Sequence, residues 1–324
     1  MKSVICTRYG SPEVLRLTET EKPVPSQNQI LIKVKAATVS AVDCTFRKGD
    51  EFFARLFTGL TKPRNQVLGS ELSGEIESVG ANVTRFKPGD KVFASTSGFG
   101  AHSEYVCIPE DGAMAAIPSG MGFNEAVSLC DGMLTALCFL RDNAKIGKGQ
   151  KILINGASGS VGSAAVQLAK HFGAEVTGIC GSTHLDSVTA LGADHMIDYT
   201  REDFTLSGKT YDIIFDAVGK SSFTKCKPAL NPQGLYMSVR IGIPVLVWML
   251  LTSKSGGKKA IFVATGLKPP GERGKDLNFI RELAEAGKIK PYIDRTFPLE
   301  QIAQAHAYVD QGHKKGNVII TFGS

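Results

Sequence analysis

Lys151-Ile-Leu-Ile-Asn-Gly-Ala-Ser-Gly-Ser-Val-Gly-Ser-Ala-Ala-Val-Gln-Leu-Ala-Lys170 holds an apolar strand, a turn of small residues and the opening of a helix. Ile152 to Ile154 supply the strand, Gly156 to Gly162 the turn, and a second strand follows from Glu175. Such a layout suits a nucleotide pyrophosphate. Exposed N–H groups and the positive end of the helix dipole attract the anion, and glycines let the backbone approach it. A glycine-rich turn alone is a weak signal; strand before, helix after and strand again give it its meaning.

Outward from this stretch, strands alternate with helices. Strands are predicted at Lys151–Asn155, Glu175–Cys180, His195–Asp198, Tyr211–Asp216, Gly234–Val239 and Lys259–Thr265, and helices near 161–172, 183–191 and 221–230. Alternation of this kind builds βαβ units on a parallel sheet, and six strands complete a doubly wound dinucleotide fold. The first third reads as β-rich, with short segments at Ser3–Cys6, Gln29–Ala37, Glu71–Val79, Lys91–Ala94 and Ala101–Ile108 punctuated by Pro and Gly. Between the two regions, Glu125–Asn143 reads as one helix capped by Asn124 and ended by Gly147-Lys-Gly149. The tail gives helices at Asp276–Ala286 and Leu299–Gln311 and a last strand at Asn317–Phe322, while Ser253–Lys259 and Lys268–Lys275 read as loops.

The 324 residues are enough for two domains or one large one, and 43% apolar with 21% charged residues is ordinary for a globular enzyme. A net charge of +6, with Lys and Arg spread along the chain, reads as a solvated surface and gives no stripe for nucleic acid. Seven cysteines, an odd number without a CxxC pair, point to reduced thiols in a cytoplasmic protein. The N-terminus carries no leader pattern, and the longest apolar run, Val245–Leu251, is too short to span a bilayer.

The landmarks Ala37-Thr-Val-Ser-Ala-Val-Asp43 with Arg47-Lys-Gly49, Leu68-Gly-Ser-Glu-Leu-Ser-Gly-Glu-Ile-Glu-Ser-Val-Gly80 and Phe86-Lys-Pro-Gly-Asp-Lys-Val92 occur in order. Leu134-Thr-Ala136, Asn155 to Gly162, Leu191-Gly-Ala-Asp194, Asp198-Tyr199, Asp216-Ala-Val-Gly219 and Lys315-Gly-Asn317 continue the series. With them the whole chain resembles the medium-chain dehydrogenase/reductases, in their zinc-free quinone oxidoreductase and enone/enal reductase branch. The resemblance implies an α/β architecture of two domains: a GroES-like β-barrel catalytic domain at 1–124, completed by 268–324, and a Rossmann NADP(H)-binding domain at 125–267 with a parallel six-stranded sheet. It places the active site in the cleft between them and implies a homodimer.

Zinc-containing relatives carry ligands at positions that align with Ser40, Ser70 and Asp131, and serine is a poor zinc ligand. Glu71 cannot hold the ion alone, and the four-cysteine lobe is missing: Ser95 to Pro118 has Cys107 only. Cys44 reads as a small packed hydrophobe and His102 as a residue on a strand surface. No metal is therefore expected.

In the GxGxxG frame the first glycine is Ala157, followed by Gly159 and Gly162. Asn155, Ser158, Ser160 and Val161 complete the phosphate turn. The second strand ends without the acid that holds an NAD ribose; Gly181, Ser182 and Thr183 would admit a 2′-phosphate and donate to it. Tyr199 reads as a phosphate contact or as an aromatic packed on the sheet. His184 stands where relatives often carry Arg or Lys, and reads as a phosphate contact or equally as a solvated residue at a helix start. NADPH is favoured. The resemblance adds Val218, Ser238, Lys315 and Asn317 to the cofactor's surroundings.

The implied reaction is hydride transfer to a quinone or an α,β-unsaturated carbonyl. Position places Ser40, Val42 and Asp43 near the nicotinamide, with Thr135 as a cofactor contact, although Asp43 reads equally well as a structural residue holding Arg47 or a turn. Phe52, Phe53 and Phe57 read as an aromatic wall for a flat acceptor or as ordinary core. Ile241 to Trp248 would roof the pocket or pack at a subunit contact. Two rival readings stand beside this one. An enoyl-thioester reductase would want a Tyr shortly after Gly49, where Asp50-Glu-Phe-Phe53 offers none. A non-catalytic NADPH-binding protein would show an eroded phosphate turn, which this chain does not.

Overall fold

The computed structural model describes every residue except 51–54, 57, 65, 97, 255 and 324, and of Asp131 the backbone only. The expectations placed on Phe52, Phe53 and Phe57 lie outside the described residues. Two compact units emerge, Met1–Asp131 with the stretch from Lys268, and Gly132–Leu267. The first boundary falls later than the expected 124, because Phe123 and Val127 pack on Ala36 and Ile319 of the first unit.

In the first unit β1 (Lys2–Cys6) and β2 (Leu15–Glu19) pair antiparallel. The long strand β3 (Gln29–Val39) pairs with both β4 (Glu71–Val79) and β6 (Tyr105–Pro109). From β4 the sheet continues through β5 (Lys91–Ser95) to β7 (Ala113–Ala116). Register shifts between Leu31/Ile32 and Val34/Ala36 interrupt the β3–β4 ladder, as bulges do where a strand must bend around its own core. Gly74 faces that bend, where a Cβ would lie 2.2 Å from the Lys33 carbonyl oxygen.

The second unit is a parallel sheet of β8 (Lys151–Asn155), β9 (Glu175–Cys180), β10 (His195–Asp198), β11 (Tyr211–Asp216), β12 (Leu230–Ser238) and β13 (Lys259–Phe262). Its order is β10-β9-β8-β11-β12-β13. The chain runs outward from β8 to β10, then returns to the other side of β8 as β11. The order therefore reverses between β8 and β11, and in open α/β sheets ligands sit at the carboxyl ends of the strands at that switch point. The chain then rejoins the first sheet as β14 (Ile293–Pro298) and β15 (Asn317–Thr321), the latter antiparallel to β3.

Three expectations are corrected. Glu125–Asn143 is not one helix capped by Asn124. Gly122 is the cap, its N–H donating to the Glu125 carboxylate at 2.9 Å, and the first helix is Phe123–Val127. Turn bonds Leu129 N–H to Ala126 O and Cys130 N–H to Val127 O then interrupt it, and the Ser128 carbonyl accepts from Asn317 Nδ2 instead. Helix resumes at Asp131–Leu137 and widens to a π turn over Cys138–Asn143. This run reaches the length and hydropathy of a membrane span, but 76% of it is buried within the protein. Second, Lys268–Lys275 is not a loop. A helix runs Pro270–Glu285, held by Lys268 Nζ on Asp276 at 2.6 Å and Arg273 on Ser95 Oγ at 3.2 Å. Third, His102 is fully buried rather than on a surface, its Nε2 2.8 Å from the Thr38 carbonyl.

Helix Ala41–Lys48 meets helix Ile302–Asp310 through buried polar groups. Arg47 is fully buried, pairing with Asp310 at 2.6 Å and donating to the Gly10 carbonyl at 3.1 Å. Burial pushes the Asp310 carboxyl up, but hydrogen bonds and charge from Lys48 and Arg47 outweigh it and hold it below the ordinary value. Cys44 Sγ lies 3.4 Å from His306 Nδ1, and burial raises the thiol pKa so that it stays protonated. The His102 ring stands 5.8 Å from that of His306. Burial first, then the positive potential of His102 and Arg47, depresses the His306 pKa well below 6.5.

The unfolded chain therefore takes up a proton at this histidine near pH 6.5 while the fold refuses it. Stability is full above that pH and falls below it, by up to about 1.4 kcal/mol per pH unit. Urea midpoints between pH 7 and pH 5 should fall less steeply in His306→Leu than in the wild type. Parallel profiles would contradict the buried neutral imidazole.

Candidate functional site

Close backbone contact builds the site. After β8, Gly156 takes φ +80°, and both its N–H and that of Ala157 donate to the Ile179 carbonyl of β9. The turn is thereby stitched to the neighbouring strand before the helix Ser160–His171 begins. Ala157 is buried, and its Cβ fills the space left by Gly178 of β9. A Cβ on Gly162 would lie 2.0 Å from the Gly156 carbonyl oxygen, so the first helical turn rests directly on the turn backbone. Gly159, the N-cap residue, has an ordinary negative φ, and a Cβ there would meet only the Gly156 oxygen at 3.5 Å. The protein's own packing does not require glycine at 159; its bare side faces outward.

The first intrahelical bond runs from Ser163 N–H to the Gly159 carbonyl. The N–H groups of Val161 and Gly162 thus precede the ladder and point out of the helix end, where the dipole is positive. Asn155, Gly156, Ser158, Gly159 and Val161 are half-exposed around this end, while Ala157, Ser160 and Gly162 are buried. Gly132 of the helix Asp131–Leu137 presses on the same end, where a Cβ would lie 2.3 Å from the Ser160 carbonyl oxygen. Thr135 lies three residues on, hence on the same helix face, and is half-exposed among buried neighbours.

Across the switch point sits a hub that the sequence analysis quoted only as a landmark. Asp216 ends β11 fully buried, and its carboxylate accepts from Asn155 Nδ2 at 2.9 Å, Gly219 N–H at 3.0 Å and Ser221 N–H at 2.7 Å. Tyr236 Oη donates to it at 3.3 Å; burial first and Asp216 second push the phenol pKa up, so it remains a donor. Asn155 is thus held by the sheet, and the Asp216–Ser221 loop is fixed beside the turn. Val218 lies against Gly156 yet is 42% exposed, and Arg240 lies over Gly219.

At the far side of β9 the structure adds an acid that the strand's own end does not supply. The second strand does end without an acid, but Asp198 of β10 pairs with Cys180 and stands one strand over. Ser182 Oγ donates to this carboxylate, as does Thr200 from both its hydroxyl at 2.7 Å and its N–H at 3.0 Å. These bonds hold the Asp198 pKa below its ordinary value. The Ser182 proton is therefore committed to Asp198. The Arg201 side chain, 80% exposed, brings Nε to 3.5 Å from Asp198, a cation the sequence analysis did not place here. Tyr199 is 60% exposed and lies over Gly181 instead of being packed into the sheet. His184 is half-buried with its ring 3.4 Å from Thr183 Oγ1.

Other anticipated residues have structural employment. Ser40 and Asp43 are buried and form a reciprocal capping box, with Ser40 N–H and Oγ both donating to Asp43 Oδ2 at 2.8 Å. Asp43 thus holds the helix end, and Arg47 goes to Asp310. Ser238 Oγ is buried against the Arg240 backbone. Lys315 and Asn317 lie in the first unit, where Asn317 Nδ2 donates to the Ser128 and Tyr292 carbonyls. Ile241 is half-buried before the helix Ile243–Thr252, and Trp248 of that helix stacks on Phe223 at 5.1 Å. Among the described residues, no group of three or more His, Cys, Asp or Glu is placed to hold a metal ion.

Two family models match the chain, one described as an alcohol dehydrogenase GroES-like domain over residues 26–119 and one as a zinc-binding dehydrogenase over residues 191–320. A chloroplast envelope quinone oxidoreductase homolog of Arabidopsis thaliana is 33% identical, over 96% of this chain and 95% of its own length. An NADPH-dependent alkenal/one oxidoreductase, chloroplastic, from the same plant is 32% identical over 99% of this chain and 79% of its own. The solved Escherichia coli quinone oxidoreductase complexed with NADPH superposes with a TM-score of 0.85 at 25% identity, covering 99% of this chain and 100% of that one.

The last two glycines of the turn should respond differently to one added methyl group. Gly162→Ala drives a Cβ into backbone and should lower stability by about 2 kcal/mol or more. Gly159→Ala should cost about 1 kcal/mol or less, a helix-cap effect. Chemical denaturation of both variants distinguishes them; equal losses would contradict the contacts described.

Proposed function

The chain belongs to the medium-chain dehydrogenase/reductase family, and on that premise we propose that it is a zinc-independent, NADPH-dependent reductase of quinones or α,β-unsaturated carbonyl compounds. The observation that carries the cofactor part is the outward-facing bare side of Gly159 at the helix end of the switch point, beside N–H groups that precede the helical ladder. The residues present fit a pyrophosphate there: the site is small, half-exposed and electropositive, with Asn155 and the Val218 loop held rigidly by Asp216. The acceptor class follows from what the relatives are named for.

When bound, NADPH supplies the hydride. Each protein group has a positioning task. The N–H groups of Val161 and Gly162 hold the pyrophosphate, and Thr135 stands at the same helix end. Thr183, His184, Tyr199 and Arg201 surround the adenosine end, where a 2′-phosphate distinguishes NADPH from NADH. Asp198 repels that phosphate, and Arg201 beside it offsets the repulsion. Discrimination between the two cofactors is consequently modest and rests on the arginine.

Zinc-independence is supported by donor chemistry. The Ser40 hydroxyl is committed to its helix cap, and Ser70 is no better a ligand. Flat, electron-poor acceptors need no Lewis acid when hydrogen-bond donors meet the developing charge.

Initial rates of NADPH and NADH oxidation with a quinone, an enone and a saturated aldehyde, each with and without a chelator, test the reading. Turnover of the quinone or enone with NADPH should survive chelation. Turnover of the saturated aldehyde alone, lost on chelation, would overturn it. Arg201→Ala should raise KM for NADPH about threefold to tenfold, roughly 1 kcal/mol, and leave that for NADH unchanged.

A further inference from the structure

The helix Ile243–Thr252, Ile-Pro-Val-Leu-Val-Trp-Met-Leu-Leu-Thr, is apolar on every side, which a surface helix ordinarily is not. Its inward face is accounted for. Val245 and Trp248 pack on the core of the second unit, and Thr252 is buried and accepts from Ala260 N–H of β13. Its outward face is bare. Ile243 is 70% exposed, Val247 47%, Leu250 76% and Leu251 64%. The spacing of these four, i, i+4, i+7 and i+8, puts them in one stripe.

The charge along the segment that carries the stripe has one sign. From Ala217 to Gly271 the sequence holds eight Lys and Arg residues and no Asp or Glu, against a net charge of +6 for the whole chain. Lys225 is answered by Asp203 of another segment. Three others gather at the C-terminal half of the helix. Lys227 Nζ stands 5.8 Å from the Trp248 ring centroid, Lys258 Nζ donates to the Lys227 carbonyl at 2.7 Å, and exposed Lys254 follows the helix two residues after its end. An apolar stripe bordered by cations fits a surface that offers acyl chains beneath a layer of phosphates.

We propose that Ile243–Thr252 is a docking element for an anionic lipid bilayer. The stripe enters the boundary between headgroups and acyl chains, and Lys227, Lys254 and Lys258 engage lipid phosphates. Ten residues of helix are about 15 Å long, so the element lies in the interface and does not cross it. This inference is independent of the reductase reading.

Trp248 is the only tryptophan of the chain, so tryptophan emission, excited apart from the tyrosines, reports on this helix alone. The full-length protein is mixed with vesicles of phosphatidylcholine, alone or with phosphatidylglycerol, and assayed by flotation and by quenching with brominated acyl chains. Binding to anionic vesicles with quenching of Trp248, at least about tenfold stronger than to neutral vesicles and weakened by salt, is the expected result. Val247→Glu/Leu250→Glu should abolish it, and Lys254→Glu/Lys258→Glu should weaken it about tenfold, with thermal midpoints unchanged. The lysine variant keeps the test open if the first variant fails to fold. Failure to bind anionic vesicles, or binding indifferent to both variants, would overturn the proposal. So would a stable dimer in sedimentation that Val247→Glu/Leu250→Glu splits, since the stripe would then be a subunit interface.

Discussion

The closeness of three backbone segments at one point governs the second unit. Gly132, Gly156 and Gly162 each occupy a place where a Cβ would lie 2.0 to 2.3 Å from another residue's atoms. Contact of this kind lets the end of Ser160–His171 rest on the turn after β8, while the preceding helix rests on Ser160. A helix end held this near the sheet directs its first N–H groups at the switch point, and the same closeness leaves Gly159 as the turn glycine that packing does not demand. The anion site is in this sense the unfilled remainder of a packing arrangement.

Charge is arranged on the two sides of that site in different ways. On the β11 side Asp216 is buried, receives donors from a side-chain amide, three loop N–H groups and a phenol, and acts as a rigid brace. On the β9 side Asp198 is tied down by Ser182 and Thr200, with Arg201 next to it in solvent. The first arrangement fixes geometry; the second sets a balance of opposing charges, which salt and single substitutions readily shift.

Much of this was legible in the chain. Four of the six strands of the parallel sheet have the ends read from the sequence, because buried parallel strands are continuous apolar runs between small-residue turns. The weak strands β2, β7 and β14 were not legible: β2 and β14 are mostly exposed or half-buried, so no apolar run marks them, and β7 is only the four residues Ala-Met-Ala-Ala. The break after Val127 depends on Asn317, 189 residues from the Ser128 carbonyl it bonds, and no local propensity reports such a partner. Asp198 was read as a landmark without its pairing to Cys180, and only the register shows it beside Ser182. Lys and Arg are spread along the chain, which conceals that the acids are not; the acid-free stretch around Trp248 was readable and went unread.

Calorimetric titration of the protein with NADPH and with NADH at matched low salt bears on the whole account at once. Both should bind through the turn, with NADPH the tighter by about tenfold or less, and raised salt should narrow the gap. Equal affinities would remove the role given to Arg201, and no heat of binding for either would contradict the assignment of the Gly156–Gly162 turn to a dinucleotide.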